Sequence, residues 1–178
     1  MTTPSKEAAP SAVITPLLPP DIPVNLLNPV VLAYIGDAVF EIYIRQRLVA
    51  GRTRKPHELH RAATRYVSAA AQAKLLQRWH PLLTEEEADI VRRGRNAKSG
   101  QPPRNADPAD YRQATALECL VGYLYYRGEK ERLEQLVAIA FEEAQADDAQ
   151  KEQTEYIEQT KADHSTEAKK GSIEHERS

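Results

Sequence analysis

Two acidic side chains stand out because each interrupts a strongly apolar helical stretch. Asp37 follows Gly36 within VLAYIGDAVFEIYIRQRL, residues 31–48, and Glu118 lies within ATALECLVGYLYY, residues 114–126. A carboxylate among apolar neighbours is at least partly desolvated, which is costly unless a positive group meets it. The glycine costs a helix about 1 kcal/mol relative to alanine, and it allows another backbone or a ligand to come close.

Each acid also has a purely structural interpretation. Asp37, Glu41 and Arg45 follow one another at intervals of four and share a helix face. Glu41 would then pair with Arg45, and Asp37 would be a solvated neighbour. Glu118 would instead be hydrogen-bonded to Arg112 or to a tyrosine hydroxyl. The residues alone leave these alternatives open.

The functional interpretation of the two acids is a shared metal site. Two carboxylates on apolar helices would lower each other's cost by binding one divalent cation between them. The donors are hard oxygens, and the sequence has no cluster of cysteines or histidines. This chemistry favours Mg²⁺, with Mn²⁺ as the alternative, over Zn²⁺.

A third candidate feature is the basic segment RRGRNAKSGQPPR, residues 92–104, which contains two glycines, two prolines and no acid. Its five bases are Arg92, Arg93, Arg95, Lys98 and Arg104. Carboxylates that bind metal repel phosphates, so a nuclease needs compensating positive charge near its site. The segment therefore predicts an arm that contacts phosphates, and a solvated charged loop is the structural alternative.

Composition and charge bound the class of protein. The chain of 178 residues has room for one ordinary domain, and its single cysteine excludes an internal disulfide framework and favours a reducing, cytoplasmic setting. No apolar run reaches the roughly 18 residues that a membrane span needs, and we expect no secretory signal. Residues 141–178 carry a net charge of −6 and residues 1–140 a net charge of +4. A mildly basic body is compatible with a polyanionic ligand.

Helical periodicity, caps and breakers predict an all-α domain, since no segment alternates as a strand does. We expect a first helix that starts at Pro29, is capped by Asn28 and ends at Gly51. Further helices are predicted over residues 57–66, 69–79, 85–93, 108–127 and 129–146, with 94–106 as a loop. The prediction is a helical bundle over 25–146 between two disordered ends, 1–24 and the acidic tail 147–178.

Two segments carry a family resemblance. AYIGDAVFEIYIR, residues 33–45, resembles the signature helix of the ribonuclease III family, and ATALECLVGYLYYRG, residues 114–128, resembles its second acidic motif. YVSAAAQA at 66–73 and RRGRNAK at 92–98 are similar to the Mini-ribonuclease III subgroup, which has the nuclease domain and no double-stranded-RNA-binding domain. The resemblance covers about 25–142 and implies an all-helical endonuclease domain of the ribonuclease III type.

The resemblance also implies roles for the two acids. Asp37 matches the signature aspartate and Glu118 the glutamate that closes the metal site, so both would be catalytic and both would hold Mg²⁺. Two further acids of the longer enzymes have no match here, because this chain has Ala33 and Thr115 at those positions. Glu41 has no counterpart that can be assigned, and its role is left open.

The implied function is Mg²⁺-dependent cleavage of double-stranded RNA, in this subgroup the precursor of large-subunit (23S) ribosomal RNA, with the basic segment contacting the RNA. The implied assembly is a symmetric homodimer whose signature helices face each other, with Tyr34 and Phe40 in the interface. A ribosomal protein is a further candidate partner, and no membrane is involved. Two alternatives remain: a non-catalytic duplex-RNA-binding or ribosome-associated module on the same fold, and a helical interaction domain unrelated to RNA.

Overall fold

The computed structural model describes residues 16, 18–51, 55–98, 100, 104 and 106–142. The chain divides into two compact units, Met1–Ala138 and Ile139–Ser178. The predicted disordered ends lie largely outside the described residues. Among the helices that are described, none is both long enough and apolar enough to cross a membrane.

The first unit consists of helices, and no strand occurs in the described ranges. The helices are α1 (Pro29–Ala50), α2 (Pro56–Val67), α3 (Ala69–Trp79), α4 (Glu85–Asn96) and α5 (Pro108–Arg127), with short 3₁₀ turns at Val24–Leu26 and His80–Leu82. A sixth helix, α6, begins at residue 130; residues 130–138 belong to the first unit, and 139–142 are helical in the second. The predicted all-α fold is confirmed.

The helix ends follow the predicted local chemistry. The Asn28 side chain accepts a hydrogen bond from Val30 N at 2.9 Å and so caps α1. Thr84 and Glu87 form the reciprocal capping box predicted for α4, with bonds of 2.9 and 3.2 Å. Gly128 ends α5 in the left-handed conformation, at φ 71°.

Helix α4 continues three residues beyond the predicted end at Arg93 and stops at Asn96. The predicted loop start was wrong because Gly94 packs within the helix rather than breaking it. A Cβ added there would lie 2.7 Å from Cys119 Cβ and 2.9 Å from Ala116 Cα on α5. The first part of the basic segment is therefore the last turn of a helix and has a fixed position against α5.

Helix α5 lies at the centre of the core and packs against α1, α3 and α4. Its Leu117 and Leu120 are fully buried, together with Ile44 of α1 and Trp79 of α3. The Trp79 indole nitrogen donates to the Leu136 carbonyl at 2.8 Å, so the polar edge of this large side chain is satisfied inside the core.

The expected interface role of Phe40 is wrong. Phe40 is 0% exposed within the single chain, whereas Tyr34 is 82% exposed. Residues six apart on an α-helix differ in direction by about 120°, so the two rings cannot share one face. Phe40 belongs to the core, and Tyr34 remains available for contact with a partner.

Candidate active site

The two predicted acids are brought together by a close crossing of α1 and α5. A Cβ added to Gly36 would lie 1.8 Å from the Glu118 carbonyl oxygen, and one added to Gly122 would lie 2.0 Å from the Leu32 carbonyl oxygen. The two backbones are therefore in direct contact, and only glycine fits at either position. The prediction that Gly36 admits another backbone is confirmed. This contact places Asp37, the next residue, beside the turn of α5 that carries Glu118.

The pKa values of both carboxyl groups are raised, and the charge of Asp37 contributes to the rise at Glu118. Burial raises the pKa of the half-buried Glu118 to about 8, and the charge of Asp37 adds to that rise. Burial and then the nearby Glu41 raise the pKa of Asp37, although this residue is exposed as a whole. No cationic side chain is among the causes of either shift. Among the described residues, no cationic side chain therefore stabilises the ionised form of either acid.

The structural alternatives have different outcomes for the different acids. Arg45 Nη2 lies 2.6 Å from Glu41 Oε2, so Glu41 forms the predicted ion pair. Neither Arg112 nor a tyrosine contributes to the ionisation of Glu118. Burial and Asp37 have the largest effects on the pKa of Glu118. The amide of Gln72 has the next largest effect, and it lowers the pKa of Glu118.

Gln72 is a candidate residue of this site that the sequence did not indicate. It lies on α3 and is 1% exposed, yet it is polar. Its Nε2 is close enough to act on Glu118 but has no acceptor in hydrogen-bonding geometry in the described part of the chain. The signal in the sequence was a glutamine at the apolar register of a short helix, next to Ala73 and in line with Leu76.

The donor set fits a hard divalent cation that keeps part of its water shell. Within the described ranges, no group of three or more His, Cys, Asp or Glu is placed to hold a metal ion. Mg²⁺ is commonly bound by only one or two carboxylates, with waters and substrate phosphates as the remaining ligands. Asp37 and Glu118 are the residues that would hold it, and a cation there would offset their mutual repulsion.

The two positions at which longer enzymes of the family carry acids contribute nothing to this site. Ala33 and Thr115 are each 5% exposed. The Thr115 hydroxyl donates to the Tyr111 carbonyl of its own helix at 3.0 Å. Of the four positions at which the longer enzymes carry acids, this chain keeps acids only at Asp37 and Glu118.

Two of the five predicted basic residues are engaged by the protein itself. Arg93 donates to the carbonyls of Asn25 and Leu27 at 2.8 and 3.1 Å, and so ties the turn before α1 to α4. Arg92 pairs with Asp89 one helical turn before it. The guanidinium of Arg93 has a structural task that the sequence did not indicate.

The other three predicted bases, Arg95, Lys98 and Arg104, are exposed. Arg95 is on the last turn of α4 and, with Arg92 and His80, lines a surface depression of about 420 Å³. Residues 99, 101–103 and 105 lie outside the described part of the chain. The exposed bases are thus a surface feature rather than part of the core.

Comparison with known proteins places this geometry in a family. The profile of the Ribonuclease III domain matches residues 30–129, a span that contains both acids and both glycines of the crossing. The chain is 54% identical over 117 residues to a Mini-ribonuclease 3 of Brevibacillus brevis, which covers 66% of this chain and 87% of that protein. It is 50% identical over 114 residues to a Mini-ribonuclease 3 of Symbiobacterium thermophilum, covering 64% and 88%.

A solved structure shows the same fold. The crystal structure of a Fusobacterium nucleatum protein aligns with a TM-score of 0.62 and 26% identity, over 67% of this chain and 95% of that one. The family profile covers more than half of the chain, and the relatives named above are matched over most of their length. The chain therefore belongs to the ribonuclease III family, in its Mini-ribonuclease III subgroup, and is an endoribonuclease.

Proposed function

We propose that this endoribonuclease cleaves double-stranded RNA with Mg²⁺ held by Asp37 and Glu118. The observation that carries the proposal is the backbone contact at Gly36, which brings two acids from distant parts of the sequence to one crossing. Their raised pKa values support it, because a site that lacks an internal cation is suited to receive one from outside.

Asp37 and Glu118 differ in their access to the substrate. A bound divalent cation supplies an acidified water and stabilises charge on the departing oxygen. Asp37 is exposed, so a phosphodiester can approach it, whereas Glu118 is half-buried and fixed on the central helix. No side chain would have to act as a strong base, because water bound to such a cation is already acidified.

The basic segment supports contact with the RNA backbone. Arg95, Lys98 and Arg104 are exposed and would bind phosphates directly. Arg92 is exposed beside Asp89 and can exchange that partner for a phosphate, while Arg93 adds positive charge from its structural position. A-form RNA would be recognised by its shape, through phosphates and 2′-hydroxyls.

An apolar stripe on α1 supports the proposed homodimer. The exposed side chains Val31, Tyr34, Ile42 and Val49 lie within about 80° of one another around the helix axis. An exposed apolar face of this kind marks a contact surface, and a twofold axis would set two α1 helices against each other. Replacing Tyr34 by glutamate should shift the sedimentation coefficient toward that of a monomer, and an unchanged value would contradict this assembly.

Membership of the subgroup supports the precursor of 23S ribosomal RNA as the cellular substrate, with a ribosomal protein as a candidate partner. The test compares cleavage of a large-subunit precursor fragment with cleavage of a generic duplex of equal length, with and without added ribosomal proteins. Preferential cutting of the precursor at one staggered position is expected. Equal cutting of both duplexes at scattered positions would contradict a dedicated role in ribosomal RNA maturation.

The central experiment is a cleavage assay on duplex RNA. Wild type should cut with Mg²⁺ or Mn²⁺ and stop when the metal is chelated, and Asp37→Asn should be inactive. Asp21→Asn, a change at an exposed aspartate outside the helices, is the matched control. A wild-type protein that binds the duplex but never cuts it would favour the alternative, a non-catalytic RNA-binding module.

A further inference from the structure

One buried polar group in the structure lacks an explanation within the fold. Gln72 is 1% exposed, and its Nε2 is the buried side-chain nitrogen or oxygen of the described residues that has no hydrogen-bond partner. Leaving such a donor unpaired typically costs about 1–3 kcal/mol. Native proteins keep few of these groups, and each calls for a reason.

The position of Gln72 indicates what the reason is. It lies on α3, which packs against α5, and its amide is close enough to Glu118 to act on that carboxyl. An amide nitrogen can only donate, and an ionised carboxylate can only accept. The two groups are therefore complementary whenever Glu118 carries its charge, and the amide itself stays neutral.

We propose that Gln72 is a positioning residue for Glu118: its Nε2–H donates to one carboxylate oxygen and leaves the other free to face Asp37 and the divalent cation. This inference rests on the proposed function, since it requires that Glu118 bind a metal. Partners of this kind orient metal ligands, and losing one typically weakens metal binding about 10- to 100-fold.

A purely structural role for Gln72 makes a different prediction. If the side chain only filled space in the core, methionine would replace it well, because it has a similar length and volume and no donor to satisfy. Stability would be unchanged or higher, and metal binding would not change. The two roles therefore separate in a measurement of metal affinity on a folded variant.

The experiment measures Mn²⁺ binding to metal-free protein by electron paramagnetic resonance, with the melting temperature as the check on folding. Gln72→Met should keep the melting temperature of wild type or raise it, and should bind Mn²⁺ about 10- to 100-fold more weakly. The Mg²⁺ concentration for half-maximal cleavage should rise by the same factor, with the rate at saturating Mg²⁺ largely restored. Gln77→Met, at an exposed position on the same helix, is the matched control and should behave as wild type.

A second variant, Glu118→Gln, separates failure of this inference from failure of the proposed function. If Glu118→Gln binds Mn²⁺ as tightly as wild type, the metal is not at this site and both proposals are wrong. If Glu118→Gln loses Mn²⁺ but Gln72→Met binds it normally, the proposed function stands and the role of Gln72 is wrong. Should Gln72→Met fail to fold, Gln72→Leu takes its place; failure of both variants to fold would make Gln72 a structural residue and overturn the inference.

Discussion

Two glutamates on neighbouring helices of this protein have opposite environments. Glu87 on α4 is 5% exposed, and Arg132 contacts its two carboxylate oxygens at 2.7 and 2.8 Å. Burial raises the pKa of Glu87, but the hydrogen bonds from Arg132 and from Thr84 outweigh it, so that the net pKa is lowered. For Glu118 on α5, burial and the charge of Asp37 both disfavour the ionised form, and its pKa rises to about 8.

The difference shows how the same residue type serves two purposes. Glu87 sits in the first turn of its helix, where the dipole and the capping box add to the ion pair. Its charge is fully compensated by the protein, so it stabilises the fold. Glu118 sits mid-helix, and among the described residues the charge that shifts its pKa is that of a neighbouring acid, Asp37. We infer that the missing compensation is what an external metal ion supplies.

The largest effect on RNA cleavage is expected when Glu118 is replaced by a neutral side chain. Glu118→Gln should lower the rate of duplex RNA cleavage by about 10³-fold or more, since a metal contributes several kcal/mol to the transition state. The metal-free protein should melt at the same temperature or higher, because a neutral amide avoids the repulsion from Asp37. Cleavage kinetics and a melting curve measure both; a variant that cuts normally would remove Glu118 from the site.

A second test changes the contact that joins the two acids. Gly36→Ala would place a methyl group 1.8 Å from the Glu118 carbonyl oxygen, so the backbones of α1 and α5 must separate. Overpacking of this kind costs about 3 kcal/mol, and we expect a lower melting temperature together with weaker Mn²⁺ binding. Gly51→Ala, whose Cβ would meet nothing closer than 3.4 Å, is the control and should change neither property. Normal metal affinity in folded Gly36→Ala would mean that the crossing does not position the acids.

The compensated acid should respond in the opposite way. Glu87→Gln removes the charge that Arg132 contacts and should lower the free energy of unfolding by about 2 kcal/mol. Well below the melting temperature, the rate of RNA cleavage and its Mg²⁺ dependence should equal those of wild type. Denaturant unfolding and a cleavage assay test this pair of outcomes, and a loss of activity without a loss of stability would contradict the division between the two glutamates.

The smallest effect expected is on the pH dependence of stability, where the two glutamates act with opposite sign. The folded-state pKa of Glu118 lies above its ordinary value of 4.5, so between 4.5 and about 8 the folded protein holds a proton that the unfolded chain has lost. Stability of the metal-free protein should therefore fall as pH rises through that interval. The lowered pKa of Glu87 has the reverse effect: its stabilisation is present above 4.5 and is lost as pH falls through the folded-state value.

Substitution separates the contributions of Glu118 and Glu87 to the pH dependence of stability. Denaturant unfolding from acid to mildly alkaline pH should show a flatter alkaline side in Glu118→Gln and a flatter acid side in Glu87→Gln. Saturating Mg²⁺ should flatten the alkaline side of wild type, because the metal binds the ionised carboxylate. Identical pH profiles for wild type and Glu118→Gln would contradict the raised pKa.

Local chemistry in the sequence predicted most of the helix boundaries. Asn28, Thr84 and Gly128 act within one turn of their own position, so their effect does not depend on the rest of the fold. Gly94 could not be interpreted in the same way, because it is held in α4 by Ala116 and Cys119, residues more than twenty positions away. A glycine that breaks a helix and one that packs against a neighbour look alike in a sequence.

The candidate site shows the same limit. Asp37 and Glu118 could be singled out because a carboxylate conflicts with its apolar neighbours in the sequence itself. Gln72 could not be assigned a role, and Arg93 was predicted only to contact phosphates. Their partners lie on other elements: Glu118 for Gln72, and two backbone carbonyls for Arg93. Both residues lie in segments that are similar to the Mini-ribonuclease III subgroup, 66–73 and 92–98, but that similarity assigned no role to Gln72 and no structural role to Arg93.

The measurement that tests the central claim most directly is a crystal structure of the protein soaked with Mn²⁺, with anomalous diffraction to locate the metal. We predict one anomalous peak at the crossing of α1 and α5, within about 2.2 Å of an oxygen of Asp37 and an oxygen of Glu118. The same peak should be absent from Asp37→Asn. Mn²⁺ bound elsewhere, in a protein that cuts duplex RNA in solution, would contradict the account.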